Sequence, residues 1–79
     1  MAMVHTWQVG VHHVFFCMQK ATKAEIVHVC RTQLGRGHGP QSAWYATHAR
    51  HPHSFVTTVV PVIMVRDPHM VTQLKLTYT

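Results

Sequence analysis

The chain has 79 residues, of which 47% are hydrophobic and nine are histidine, and seven Lys and Arg against two acidic residues give a net charge of +5 with histidine neutral. This length suits one domain over residues 1–79 with a single core, and the hydrophobic fraction argues against a disordered chain. Two carboxylates leave no pair for acid-base catalysis of the glycosidase kind, so an enzyme is not expected.

The first predicted element is a strand over residues 4–18. Apolar and polar side chains alternate in its first half, which is typical of a half-buried strand. From Val14 to Met18 both faces become apolar. We expect one long strand, and the alternative is a break near Gly10 into two shorter strands.

A helix over about Lys23–Leu34 is predicted next. Thr22 and Glu25 have the spacing of a capping box, in which each side chain bonds the backbone at the other residue. Apolar residues then recur on one helical face, and Gly35 stands where a helix C-terminus favours glycine. The β-branched residues of this stretch would also suit a strand, but the signals at both ends favour the helix.

A glycine-rich connector over residues 35–40 is predicted to follow this helix. It lacks the spacing of a P-loop, and any phosphate contact there would come from Arg36 and the glycine amides. Ser42 would then cap a short second helix through Ala49. That helix must end before Pro52, because proline disfavours helix in the residue that precedes it.

The strongest β signal is the stretch over residues 54–66, which is dense in Val, Ile and Thr. The even positions of residues 70–78 are mostly apolar, which predicts a second strand after a turn at Asp67 and its following proline. With Val65 opposite Met70, the odd positions of the first strand and the even positions of the second share the core face. The C-terminal half is therefore predicted to be a hairpin.

The other face of the strand over residues 55–65 is also apolar. Two helices cannot easily cover both faces of a sheet in so small a domain. A helix on each side or a contact surface for another chain is therefore expected, because large apolar patches mark interfaces. Pro61 lacks an N–H and predicts an edge or a bulge in this strand. The predicted interface residues are Val56, Val60, Val62 and Met64.

These elements predict an α+β domain in the order β-α-α-β-β. Its sheet would be small, mostly antiparallel and three-stranded, with two helices packed on it.

The basic charge favours a polyanionic partner, since a positive field speeds encounter and phosphate contacts release counterions. No RNA- or DNA-binding signature is present, so the two partners are not distinguished. A basic surface that only keeps the protein soluble is the alternative. The residues predicted to contact nucleic-acid phosphate are Lys20, Lys23, Arg31, Arg36 and Arg50.

A histidine-rich segment offers a second functional class. His48, His51 and His53 are close in sequence, and imidazole binds zinc, copper and nickel. Paired cysteines, which a strong zinc signature would add, are absent. Exposed histidines without a ligand are the competing interpretation, and no cofactor is expected otherwise.

Cys17 and Cys30 lack the C-x-x-C spacing of a redox pair and are expected to be buried free thiols. No stretch reaches the ~20 apolar residues that a membrane span needs, so we expect a soluble intracellular protein. The sequence predicts a small basic non-catalytic binding protein, a subunit of a nucleoprotein or other multi-chain assembly, homo-oligomeric or larger. The alternative is a transition-metal-binding protein.

Overall fold

The computed structural model describes residues 4–37, 39, 41–52 and 59–79. Its elements follow the order β-β-α-β-β-α. The prediction of an α+β fold with two helices is confirmed, whereas the three-stranded sheet and the order β-α-α-β-β are wrong. The elements are β1 (Val4–Val9), β2 (His12–Cys17), α1 (Lys20–Leu34), β3 (Trp44–Arg50), β4 (Val59–Val65) and α2 (Pro68–Tyr78).

The four strands form one antiparallel sheet in the order β1-β2-β4-β3. β1 and β2 are joined by a tight turn at Gly10, which has φ of 60°. Glycine reaches this conformation without steric cost, whereas other residues rarely do. The prediction of one long strand is therefore wrong, and its alternative, a break near Gly10, is correct.

The predicted helix α1 is present but begins at Lys20. Gln19 is its N-cap and makes no side-chain capping bond. Thr22 therefore lies inside the first turn, and the predicted capping box is wrong. The C-terminus is as predicted, because Gly35 has φ of 81° and its N–H donates to the Arg31 carbonyl at 3.1 Å.

The short helix predicted after Ser42 is instead strand β3. It pairs with β4 along its whole length, from Trp44 opposite Val65 to Arg50 opposite Val59. Trp, Tyr and Thr fit a pleated surface well, and pairing with β4 satisfies the backbone groups of β3 that face it. This pairing with a distant strand decides for β3 over the predicted helix.

The second strand of the predicted hairpin is instead helix α2. Met70 and Leu74 are buried and Tyr78 is half-buried, whereas Thr72 and Leu76 are exposed. The three inward residues are four apart, so they share one face of a helix as well as one face of a strand. Only the two exposed residues between them distinguish the two structures.

Asp67 starts α2, and it does not turn the chain between two strands. Its Oδ1 accepts a hydrogen bond from the Met70 N–H at 2.9 Å, and Pro68 occupies the first helical position. An aspartate cap followed by proline is a strong helix start, because the cap satisfies a free amide and proline needs none. The predicted pairing of Val65 with Met70 is therefore wrong.

Both helices pack on the same face of the sheet, which we call the helix side. Ile63 and Val65 of β4 point into this core, as predicted for the odd positions. The core residues are Val4, Phe15, Cys17, Ile26, Cys30, Trp44, Ile63, Val65, Met70 and Leu74.

The two halves of the sheet meet along a short seam. His13, Val14 and Phe15 of β2 pair with Val65, Met64 and Ile63 of β4 in that order. Pro61 lies beyond this seam and pairs with His48 on β3. β4 lies between β2 and β3 in the sheet, but at Pro61 it pairs with β3 alone among the described strands. The predicted edge or bulge at Pro61 stays a prediction.

Neither α1 nor α2, the helices that the structure describes, is long and apolar enough to cross a membrane.

Candidate interaction surfaces

The sheet face opposite the helix side carries no helix among the described residues, and we call it the open face. Strand alternation and register assign its members. None of them is Lys, Arg, Asp or Glu. They are His5, Trp7, Val9, His12, Val14, Phe16, Tyr45, Thr47, Ala49, Val60, Val62 and Met64.

Aromatic side chains cover the centre of the open face. Trp7, Phe16 and Tyr45 are half-buried and pack over Val62 and Met64, which are 1% and 8% exposed. The predicted interface residues Val62 and Met64 thus lie beneath an aromatic layer within the same chain.

Only the β4 residues of the open face were predicted from the sequence, and those on β1, β2 and β3 were missed. Val60, a predicted interface residue, is partly buried beside the aromatic layer, and Val56 lies outside the described residues. The alternation that placed Trp7 and Val9 on one face of β1 was the available signal for the rest. It could not show that this face continues the apolar face of β4.

Histidine rings belong to this aromatic layer. His51, which follows β3, lies with its ring centroid 5.0 Å from Trp7, 5.6 Å from Phe16 and 5.4 Å from His5. The His5 Nδ1 and His51 Nε2 atoms are 3.2 Å apart, within hydrogen-bond distance. The rings of His12 and Tyr45 are nearly perpendicular, with centroids 5.5 Å apart. The layer is therefore built from the rings of Trp, Phe and Tyr together with histidine imidazoles.

His48 and His51, two of the three predicted metal ligands, are not brought together. His48 is exposed and occupies a helix-side position of β3, whereas His51 packs on the open face. His53 lies outside the described residues. Among the described residues there is no group of three or more His, Cys, Asp or Glu side chains that could hold a metal ion.

The seven cations lie away from the open face. Arg50 occupies a helix-side position of β3, and Arg36 and Arg66 lie in the segments that follow α1 and precede α2. The others are on the helices themselves, at Lys20, Lys23, Arg31 and Lys75.

Two of the five predicted phosphate contacts line one cavity. Arg31 and Arg36 share a cavity of about 390 Å³ with Gly37 and Trp44, which we call the arginine cavity. Lys20 lies at the opposite end of α1 with Lys23 one turn further on, and Arg50 lies at the far end of β3 from Trp44. The structure therefore brings together one pair and leaves the other three cations apart.

A second cavity, of about 250 Å³, lies beside α2. Gln8, His13, Arg66 and Thr72 are among its lining residues. The His13 Nε2 atom is shielded from solvent and has no hydrogen-bond partner among the described residues. Burial, and to a smaller extent the Lys75 charge, lower the pKa of His13, so this imidazole is neutral at neutral pH.

Both cysteines are buried free thiols, as predicted. Burial raises the pKa of Cys17, and it raises the pKa of Cys30 to about 11. The thiolate is the nucleophilic form, so neither side chain is an activated nucleophile at neutral pH.

Comparison of the chain with protein-family models, curated proteins and solved structures gave no match. Function is therefore inferred from the open face, the cations and the arginine cavity.

Proposed function

We propose that this protein is a small non-catalytic nucleic-acid-binding subunit. Two copies pair through their open faces, and the cations on the helix side hold nucleic-acid phosphate. One observation carries the proposal: the uncharged aromatic surface lies on one side of the sheet, and five of the seven cations, Lys20, Lys23, Arg31, Arg50 and Lys75, lie on the other. A molecule divided in this way can contact two partners at once.

The open face is the broad side of the molecule. The molecule measures 34 × 27 × 19 Å, and its smallest dimension matches one sheet layer and one helix layer of about 10 Å each. The open face therefore lies across the two longer dimensions of the molecule. A stable interface takes about 800 Å² from each partner, so pairing would bury this face and the surface that borders it.

A second copy suits this face because the face carries no formal charge. Two chains of net charge +5 repel each other, and the repulsion is smallest when their cations point away from one another. Pairing through the open faces gives that arrangement, with sheets stacked as in a β-sandwich. Trp7, Phe16 and Tyr45 are residue types enriched at the centres of interfaces.

The pair would then present cations on both outer surfaces. Phosphate contacts with Lys and Arg release counterions and supply most of the affinity in non-specific binding. A single strand could instead stack its bases on the aromatic layer of the open face. The absence of Lys and Arg from the open face favours the helix side for phosphate.

Neighbouring residues of β3 provide a matched test of the pairing. Thr47 lies on the open face, whereas the exposed Ala46 beside it occupies a helix-side position. We expect wild type and Ala46→Glu to have twice the mass of the single chain in native mass spectrometry. Thr47→Glu should have the single mass, because pairing would bury its carboxylate. A single mass for wild type, or a pair in Thr47→Glu, would contradict the pairing.

The phosphate contacts are tested by binding of a short single-stranded RNA at several salt concentrations. The logarithm of the binding constant should fall linearly with that of the salt concentration, by about 0.7 per phosphate contact. Binding that ignores salt would rule out the helix-side cations. If Thr47→Glu abolished RNA binding while wild type remained a single chain, the strand would lie on the open face, and the pairing would be wrong.

Transition-metal binding is a second candidate, favoured by one distance. Two nitrogen ligands on tetrahedral zinc lie about 3.3 Å apart, and the His5 and His51 nitrogens are 3.2 Å apart. We propose His5 in place of His48 as the companion of His51. Elemental analysis of the purified protein should then find zinc, copper or nickel in wild type and in His48→Gln, but not in His51→Gln. Equal metal content in both variants would contradict this assignment.

A further inference from the structure

We infer that the arginine cavity is a nucleotide-binding site, in which Arg31 and Arg36 hold the phosphate and the attached nucleoside occupies the rest of the cavity beside Gly37. This inference rests on the proposed function and deepens it, because it replaces a diffuse cationic surface with one discrete phosphate position. The nucleotide can be a free one or one unit of a strand.

The size of the cavity indicates a ligand larger than phosphate. Sites for small organic ligands occupy about 300–1,000 Å³, and this cavity of about 390 Å³ lies in that range. A bare phosphate would leave most of it filled with water. A nucleotide combines a group for the guanidinium ions with a flat, largely apolar body for the rest of the cavity.

Both guanidinium groups are available to a ligand. Arg31 and Arg36 are exposed, and in the described part of the chain neither forms an ion pair. Of the two acids, Asp67 caps α2 and Glu25 lies near the middle of α1. Because a guanidinium presents parallel N–H donors that match phosphate oxygens, two of them can hold one phosphate from two sides.

The wall of the cavity is held in place by Trp44. Its indole N–H donates to the Gly35 carbonyl at 2.7 Å. Gly37 lies so close to Trp44 that an added Cβ would be 2.6 Å from the Trp44 carbonyl oxygen and 3.0 Å from the indole ring. Arg36 stands between these two anchored glycines, and Arg31 is in the last turn of α1. The backbone beneath both arginines is therefore fixed before a ligand arrives.

The same contacts predict whether the site distinguishes one base from another. Trp44 is 3% exposed and its indole N–H already has an acceptor, so it offers a base neither a stacking surface nor a hydrogen-bond donor. The contacts that remain for Arg31 and Arg36 are with phosphate, which carries no base identity. We therefore expect a site that takes nucleotides without choosing among bases.

The test follows the indole N–H resonance of Trp44 by NMR while ligand is added. The probes are inorganic phosphate, uridine monophosphate and a short oligouridylate. We expect the two nucleotide probes to shift this resonance at concentrations where inorganic phosphate does not. If the oligouridylate shifts the resonance and uridine monophosphate does not, the site binds a nucleotide within a strand. If both shift it, the site also binds the free nucleotide. No shift with either would overturn the inference.

Matched arginine variants separate a discrete site from diffuse attraction. Arg31→Gln and Arg36→Gln should each weaken binding of the oligouridylate about tenfold, the loss expected for one charge-assisted phosphate contact. Arg66→Gln removes the same charge outside the cavity and should weaken it about twofold at most. Equal losses in all three variants would overturn the site but leave the proposed phosphate binding intact. No binding by wild type would overturn both.

Discussion

At the scale of single residues, the contact between Gly37 and Trp44 is one that only glycine allows. An alanine Cβ at this position would meet the Trp44 carbonyl oxygen at 2.6 Å, so the loop or the strand must move. We expect Gly37→Ala to lower the free energy of unfolding by about 1–3 kcal/mol, as overpacking does elsewhere.

Urea denaturation measures this loss. Arg36→Gln is the control, because it changes an exposed side chain on the same loop and should stay within about 0.5 kcal/mol of wild type. Equal stability of the two variants would show that Gly37 and Trp44 are not in contact.

The Cys30 thiol is fully buried, and its pKa is raised to about 11. At pH 8 about one thiol in a thousand is then ionised, and an alkylating reagent must also wait for the core to open. We expect mass spectrometry to find little labelling of Cys30 in the folded protein and full labelling of both cysteines in urea. Rapid labelling of Cys30 without urea would contradict its place in the core.

At the scale of elements, the start of α2 depends on one capping bond. The Asp67 carboxylate accepts from the Met70 N–H at 2.9 Å. We expect Asp67→Ala to lower the free energy of unfolding by about 1 kcal/mol, the usual value of such a cap. Thr22→Ala is the comparison, because Thr22 makes no cap in α1 and alanine favours helix. A larger loss in Thr22→Ala, measured by urea denaturation, would restore the capping box that the structure rejects.

His13 makes the packing of α2 sensitive to acid. Burial, and then the Lys75 charge, lower its pKa in the folded protein, and Arg66 lines the same cavity without offsetting them. The unfolded chain therefore takes up this proton first as the pH falls below about 6.5. The contribution of neutral His13 to the free energy of unfolding is fully present above that pH. It is lost as the pH falls through the pKa that His13 has in the folded protein.

We expect the urea midpoint of wild type to drop between pH 7 and pH 5 by more than that of His13→Gln. The other histidines are common to both proteins, so the difference between the two drops isolates His13. Lys75→Gln should reduce the drop slightly, because it removes the smaller of the two causes that lower the pKa of His13. An identical drop in wild type and His13→Gln would contradict the burial of the ring.

Local sequence patterns correctly predicted the elements that have local signals. They failed where pairing with a distant strand determines the structure. α1 was recognised by its apolar face and by Gly35, and β4 by its β-branched residues. Trp44–Arg50 is a strand because β4 lies beside it, and its β-favouring Trp, Tyr and Thr residues alone did not decide against a helix. Met70–Tyr78 was misassigned because a spacing of four fits both periods.

The candidate surfaces divide in the same way. The second apolar face of β4 was predicted from its alternation. The aromatic rings that cover it, on Trp7, Phe16 and Tyr45, come from three strands whose register sequence alone does not supply. Arg31 and Arg36 were both predicted to contact phosphate. Their meeting depends on where Trp44 holds the loop.

At the scale of the whole molecule, the proposed pairing through the open faces would link stability to protein concentration. A partner that binds only the folded chain raises the melting temperature by mass action. We expect the melting temperature of wild type and of Ala46→Glu to rise with protein concentration in calorimetry. That of Thr47→Glu should not change. A wild-type melting temperature independent of concentration would contradict the pairing.

The short seam between β2 and β4 has a consequence for how the chain folds. β1 and β2 are close in sequence and can pair within microseconds, as hairpins do. The seam joins His13–Phe15 to Ile63–Val65, about fifty positions along the chain, so it must close a long loop for only a few pairs. We expect the seam to form last. Substitutions in it, such as Val14→Ala, would then speed unfolding and leave the refolding rate nearly unchanged.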